Sequence, residues 1–441
     1  MQLKGDLRRA LAAACGTLLA AAPAPAGAGD WMPGDAKDWS FDSAILLYKE
    51  ADRVQAIEPV VMARWAMGDE EFLSFKLTFD SLTGASANGA APASQPQTFT
   101  SPSGGSTYTV APGETPLDPT FLDARGALNV TWDSPYGRFT RMTYSLNLSA
   151  EYDYQSAAVS ATMARDFNLK NTTLAVGISF GSDRLNPVGG TPVPLTSLPT
   201  LPWVCDDDDP CTGLGPAPAR LADQSKSLTD VLVGVTQVLS PQSLVQLNYS
   251  WGTASGYLTD PYKNVSVVDG VAGPNQGNPL DHLYEGRPDS RTKNSLYALY
   301  RRQNDGGDTW DASLRHMWDD WGIRSETVDA HYRWQFSDRG YFQPHLRYYQ
   351  QSAADFFVPY LVDGAPLPAA ASADYRLGEM TTTTFGLKYG LVTAGGNEFG
   401  VHLEIYRQSG DSYPTGAIGV LQGYDLFPVV TATMVQFDFS F

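Results

Sequence analysis

Cys205 and Cys211 bracket four consecutive aspartates, Asp206, Asp207, Asp208 and Asp209, followed by Pro210. Oxidation of the two thiols would close a small ring that presents four carboxylates. Hard cations take oxygen ligands of this kind, and Ca²⁺ wants about 6–8 of them. This spacing matches no known Ca²⁺ loop, and a disulfide-pinned, solvated turn explains the same residues without an ion. The disulfide is expected, and no metal is assigned to the aspartates. The chain also holds five histidines. His331, His345 and His402 lie on one parity of strand-like runs, taken as inward, while His316 lies on the outward parity and His282 in a connection. A hairpin about Asp338 sets His331 opposite His345 and Asp329 opposite Arg347. Two facing imidazoles can bind a transition metal, although lining a hydrated interior is the commoner role. A third group is ionic. Arg315, Asp329, Arg333, Arg347, Arg376, Lys388 and Glu404 are all expected to face inward on the C-terminal strands. Opposed charges across a pore orient polar solutes, and cross-strand pairs also stabilise a wet wall by ~0.2–1 kcal/mol each.

Enzymatic chemistry is poorly supported. Asp281 and His282 are chain neighbours, which is not the arrangement of a catalytic dyad. The Gly-rich segments near 84–104 follow no strand-to-helix pattern, so no phosphate cradle is expected. No C-x-x-C-H occurs, which excludes covalent haem attachment. The expectation is no enzyme and no cofactor. A formal charge of −18 argues against nucleic acid as a partner.

These residues need elements to hold them, and the last stretch of the chain says which. Residues 428–441 read PVVTATMVQFDFSF, with Val435, Phe437, Phe439 and Phe441 on one face and Gln436, Asp438 and Ser440 on the other. Alternating aromatics and a C-terminal Phe look like the closing strand of an outer-membrane barrel, and like the signal that the barrel-assembly machinery reads. The N-terminus agrees. Lys4, Arg8 and Arg9 precede a short apolar run, 10–22, and small residues up to Ala28 offer a cleavage site. Residues 1–28 are read as a signal peptide and 29–441 as one barrel domain. No later run is apolar and long enough for a membrane helix, and the only other way to span lipid is a closed barrel.

The rest of the chain divides into sixteen strand-like runs, from 39–50 through 323–336, 341–352, 375–393 and 397–410 to 428–441. Every connection from an even run to the next odd one is short. The long connections, 84–124, 183–224, 257–290, 353–374 and 411–427, all lie between an odd run and the next even one. Outer-membrane barrels sort their loops in this way. The expected fold is an all-β, antiparallel, up-and-down transmembrane barrel of about sixteen strands with both termini periplasmic. The Pro- and Ala-rich stretches 84–119 and 187–220 look like flexible surface loops, long enough for one to fold into the lumen.

Several motifs occur in order along the chain: YKEADRVQAIEP (48–59), FDSLTGASANGA (79–90), QPQTFTSPSG (95–104), PLDPTFLDARGAL (116–128), ARDFNLKNTTL (164–174) and YEGRPDSR (284–291). Together they resemble the proteobacterial outer-membrane family catalogued as domain of unknown function 3570, over essentially the whole mature chain. The resemblance implies a barrel between periplasm and surface. It also implies a periplasmic lipoprotein or flavoprotein as a partner in a redox-linked envelope system, besides outer-membrane lipid and the assembly machinery. The leading functional expectation is a porin-like channel or solute-uptake pore with loop-controlled access. A scaffold barrel for an envelope redox or assembly system is the alternative, and an outer-membrane enzyme the third reading.

Overall fold

The computed structural model describes residue 35 and residues 38–101, 106–187, 189–199, 203–206, 209–213 and 219–441. The proposed signal peptide lies outside the described residues. Sixteen antiparallel strands close into one barrel. They are β1 (Trp39–Glu50), β2 (Gln55–Gly68), β3 (Glu71–Ala87), β4 (Leu117–Pro135), β5 (Thr140–Ala150), β6 (Tyr154–Phe167), β7 (Thr172–Leu185) and β8 (Gln224–Ser240), then β9 (Ser243–Gly256), β10 (Ser290–Gln303), β11 (Thr309–Asp319), β12 (Arg324–Gln335), β13 (Gly340–Gln351), β14 (Met380–Val392), β15 (Glu398–Gly410) and β16 (Val430–Ser440). Each strand pairs with its chain neighbours, and β16 closes on β1 with Phe437 opposite Ile45 and Phe439 opposite Ser43. Past the end of β16, Phe441 and Phe41 exchange two backbone hydrogen bonds of 2.9 Å, and their rings stack at 5.4 Å. Closure leaves no unpaired edge, which a wall in lipid requires.

Alternation sets the two faces of the wall. Val176, Ile178, Leu247, Leu296, Leu314, Val328, Leu346, Phe385, Leu403 and Ile405 all stand exposed on the outer surface. Their chain neighbours Ser179, Asn248, Arg315, Asp329, His345, Glu404 and their like point inward. An apolar exterior and a polar interior are what lipid outside and water inside select.

The connections sort by end. From β2–β3 to β14–β15, all seven even-to-odd connections are short. The five long ones gather at the opposite end, and there they form a folded cap. The β9–β10 connection is its hub. It carries a hairpin of Asn264–Val268 with Pro279–Tyr284, joined by Leu361–Val362 from the β13–β14 connection. The other long connections bond to this hub: Asn264 N donates to Asn88 O (2.7 Å), Leu195 N to Tyr284 O (3.1 Å), Asp363 N to Val268 O (2.9 Å) and Val420 N to Gln276 O (2.9 Å). The β3–β4 and β15–β16 connections each spring from strands six places round the barrel from the hub. Contacts between them therefore cross the mouth.

Two expectations from the sequence change here. Stretch 84–119 looks like a flexible loop by composition, but Ala90, Ala91 and Ala93 are buried in the cap, and Ala91 packs with Val268, Ala417 and Leu421. Small side chains allow three connections to approach closely. The expected strand 375–393 begins only at Met380, because Tyr375–Leu377 forms a 3₁₀ turn capped by the Asp374 side chain. Arg376 is thus a residue of the cap and not of the strand wall.

Candidate lumen-lining site

The register places the predicted residues as the hairpin about Asp338 requires: His331 opposite His345 and Asp329 opposite Arg347. The two imidazoles stack with centroids 4.2 Å apart and planes 8° from parallel. Around them runs a band of charge along the inner face of β11 to β16. His331 Nδ1 lies 3.2 Å from Asp311 and 3.4 Å from Asp329. His345 sits between two carboxylates, with Nε2 3.2 Å from Asp329 and Nδ1 2.7 Å from Glu404. His402 Nε2 approaches the same Glu404 oxygen at 3.2 Å. Lys388 pairs with Asp438 at 2.9 Å. Arg347 reaches Asp329 only at 3.8 Å and is half exposed, so this pair is loose.

His345 on β13 and Glu404 on β15 meet across β14 because Gly386 stands between them. A Cβ at Gly386 would lie 2.9 Å from His402 Nε2 and 3.0 Å from the Glu404 side chain. Further along, Gly390 leaves room for the Tyr341 ring, whose hydroxyl donates to Glu398 at 2.6 Å and over whose face the Arg333 guanidinium sits at 3.6 Å. Arg315 turns aside to donate to Ser295 at 2.9 Å. The predicted lining residues Arg315, Asp329, His331, Arg333, His345, Arg347, Lys388, His402 and Glu404 therefore share one arc of the inner wall, and Arg376 stands apart from it. Sequence reading missed Asp311 and Asp438 as members of the band, although inward parity was enough to find them. It also missed Gly386, whose part is to be absent in volume.

The opposite arc is different. Inward positions of β6 and β7 are Ser156, Ala158, Ser160 and Thr162, and Ala175, Gly177, Ser179 and Gly181. Leu232 and Leu228 of β8 lie over Gly177 and Gly181. The lumen thus has a small, near-neutral side facing a charged, histidine-bearing one.

The cap has its own ionic chain. Glu285, wholly buried, lies 2.6 Å from Arg287; Arg287 reaches Asp374 at 2.9 Å; Arg376 joins Asp374 at 2.6 Å to Asp260 at 2.7 Å. Burial alone would raise the Asp374 carboxyl, but Arg376, Lys263 and Arg287 outweigh it and hold it well below the usual carboxylate range. The His282 ring packs tilted against Phe99, with centroids 4.9 Å apart, and shares a hydrogen bond of 3.1 Å with Ser266. Burial pushes its imidazole down to about 4, against a smaller opposite pull from Asp281. Asp281 instead accepts from Ser197 at 2.6 Å. Asp281 and His282 are thus engaged separately.

Cys205 and Cys211 lie in the paired segments Trp203–Asp206 and Asp209–Gly213, with Val204 opposite Thr212. Their side chains, and those of Asp206 and Asp209, lie outside the described residues, as do Asp207 and Asp208 altogether.

A closed antiparallel wall with a lipid-type exterior and a polar interior defines a β-barrel of the outer-membrane type. The chain belongs to the family described as "Protein of unknown function (DUF3570)", whose model matches residues 8–441. No curated protein matches it. Among solved structures it is similar to a bacterial polysaccharide outer membrane secretin, at 8% identity and TM-score 0.42 over 92% of this chain and 100% of that one. It is also similar to the ferric enterobactin receptor of Pseudomonas aeruginosa, at 9% identity and TM-score 0.43 over 90% of this chain but only 60% of the receptor. The toluene transporter TodX of Pseudomonas putida is 8% identical, with TM-score 0.35 over 92% of this chain and 90% of that one. None of these likenesses bears on the function of this chain.

Proposed function

We propose that the protein is an outer-membrane passage for small polar solutes whose outer mouth is controlled by the folded cap. The chain is exported, loses residues 1–28, and keeps both termini and the short turns on the periplasmic side. Phe441 and the aromatics before it serve as the assembly signal. The observation that carries the reading is the pairing of a cap that crosses the mouth with an inner wall that keeps a band of charge. A barrel of about sixteen strands is wide enough for water. A barrel that served only as a rigid sheath has no need of a histidine–carboxylate band on one arc. The chain has no catalytic part to play in this reading.

The test is planar-bilayer conductance of the refolded full chain beside Arg287→Ala, which removes the cation that links Glu285 to Asp374 in the cap. Native protein should open rarely, and the variant should open more often at the same unit conductance. If neither conducts although both migrate as folded barrels, the passage reading fails and the scaffold alternative takes its place.

A further inference from the structure

We infer that the inner wall holds a site for one divalent transition-metal ion of the imidazole-preferring kind, such as Zn²⁺, bound by His345 Nδ1, His402 Nε2 and Glu404. The site is read on the wall itself and holds whether or not the barrel conducts.

The three donors come from two strands, β13 and β15, and meet across Gly386. Their ligand atoms lie within 4.8 Å of one another. His345 Nδ1 and His402 Nε2 stand 2.7 and 3.2 Å from the same Glu404 oxygen. Ligands on a tetrahedral ion with arms of ~2.0–2.1 Å stand about 3.3 Å apart, so small side-chain shifts would admit the ion. His402 Nε2 is buried and, although 3.2 Å from the Glu404 oxygen, makes no hydrogen bond, which leaves a polar nitrogen at the site open to a further partner.

The surroundings fit the same role. On its far side His345 Nε2 faces Asp329 at 3.2 Å. A carboxylate there holds the proton on Nε2 and leaves the Nδ1 lone pair for the metal, the usual support of a ligating histidine. Lys388, which stands opposite His402 on β14, is paired with Asp438 at 2.9 Å. His345, His402 and Glu404 all keep some exposure to the lumen, so an ion can enter and a water can complete the shell. A second set, Asp329, His331 and His345, is as compact. It is the poorer one, because Arg347 stands 3.8 Å from Asp329 and His331 Nδ1 is engaged by Asp311.

The test uses tag-free full-length protein, folded in detergent and stripped with chelator, each variant first checked for heat-modifiable migration. Zn²⁺ is titrated against a chromogenic chelator, and Co²⁺ is added separately to record the visible spectrum. The native barrel should take up one equivalent of Zn²⁺ and give the intense absorption of four-coordinate Co²⁺. His402→Ala and Glu404→Gln should each abolish both. Asp329→Asn should weaken affinity about 10–100-fold while keeping the Co²⁺ spectrum, as expected of a positioning residue. His331→Ala and the outward His316→Ala should bind as native. No uptake by the folded native barrel overturns the site. Uptake that survives in folded His402→Ala, or that is lost in folded His331→Ala, overturns this ligand set.

Discussion

The wall and the cap are built from one chain but stabilised in opposite ways. Along the wall, large apolar side chains are exposed: Phe385 and Ile405 keep more than half of their surface open, and they are hidden only by lipid. The strands need no packed interior, because their backbone groups are satisfied by the closed ladder. In the cap the apolar side chains turn on one another. Val265, Val268 and Leu421 have no exposed surface, and Trp321, Ile323, Phe356 and Leu377 form a second cluster at its base. Of the described residues, only the cap has the core of a water-soluble domain. One solvent selects a face and the other selects an interior, so the two regions should respond differently to the same insult.

The largest effect expected is from Leu421→Ala. It empties a fully buried site shared by three connections, at a cost of about 2–5 kcal/mol. Hydrogen exchange should rise across the cap amides and stay unchanged in β5 to β8. Equal loosening of the wall would erase the distinction between the two regions. Next comes Phe385→Arg at the middle of β14, which puts a charge into lipid and should cost the barrel about 2–4 kcal/mol in equilibrium folding into bilayers. The cap would gain nothing from it and lose nothing. A variant as stable as the native protein would mean that this face does not meet lipid.

Acid should separate the two regions without mutation. His282 is held neutral by burial, with its imidazole pushed down to about 4. The opened cap binds a proton at that group near its ordinary value of 6.5, so its contribution to stability is full above 6.5 and is lost as pH falls towards 4. The loss amounts to at most about 3 kcal/mol. Cap exchange should accelerate over that window in the native protein, and the acceleration should shrink in His282→Gln. The smallest effect on stability is expected from Asp329→Asn, since the Arg347 contact is loose at 3.8 Å and an Asn side-chain oxygen can still accept from His345 Nε2, 3.2 Å away. Stability should change by less than about 1 kcal/mol. In metal-free buffer a conducting barrel should nevertheless become less cation-selective, because one negative charge leaves the wall. Unchanged selectivity would put the charged arc outside the conducting path.

Much of the wall is legible in the sequence alone, and for a simple reason. A strand in a barrel answers to lipid on one side and water on the other at every second residue, so hydrophobic alternation states both face and register. β1 spans the very residues expected, and the hairpin about Asp338 sets His331 against His345 without further information. The sorting of short and long connections by parity puts every long connection at one end of the barrel in the same way. Nothing periodic marks the cap. Ala91, Val268 and the pair Ala417 and Leu421 are far apart in the chain and come from three connections, so only their meeting across the mouth makes them a core. The same holds for the metal-binding set. Alternation puts His345, His402 and Glu404 on one face, but their convergence depends on Gly386 in the strand between, and that follows from strand order and stagger in the closed barrel. Local alternation is a contest between two solvents and is written residue by residue. Contact between distant segments depends on where the chain brings them, and that is decided only when the barrel closes.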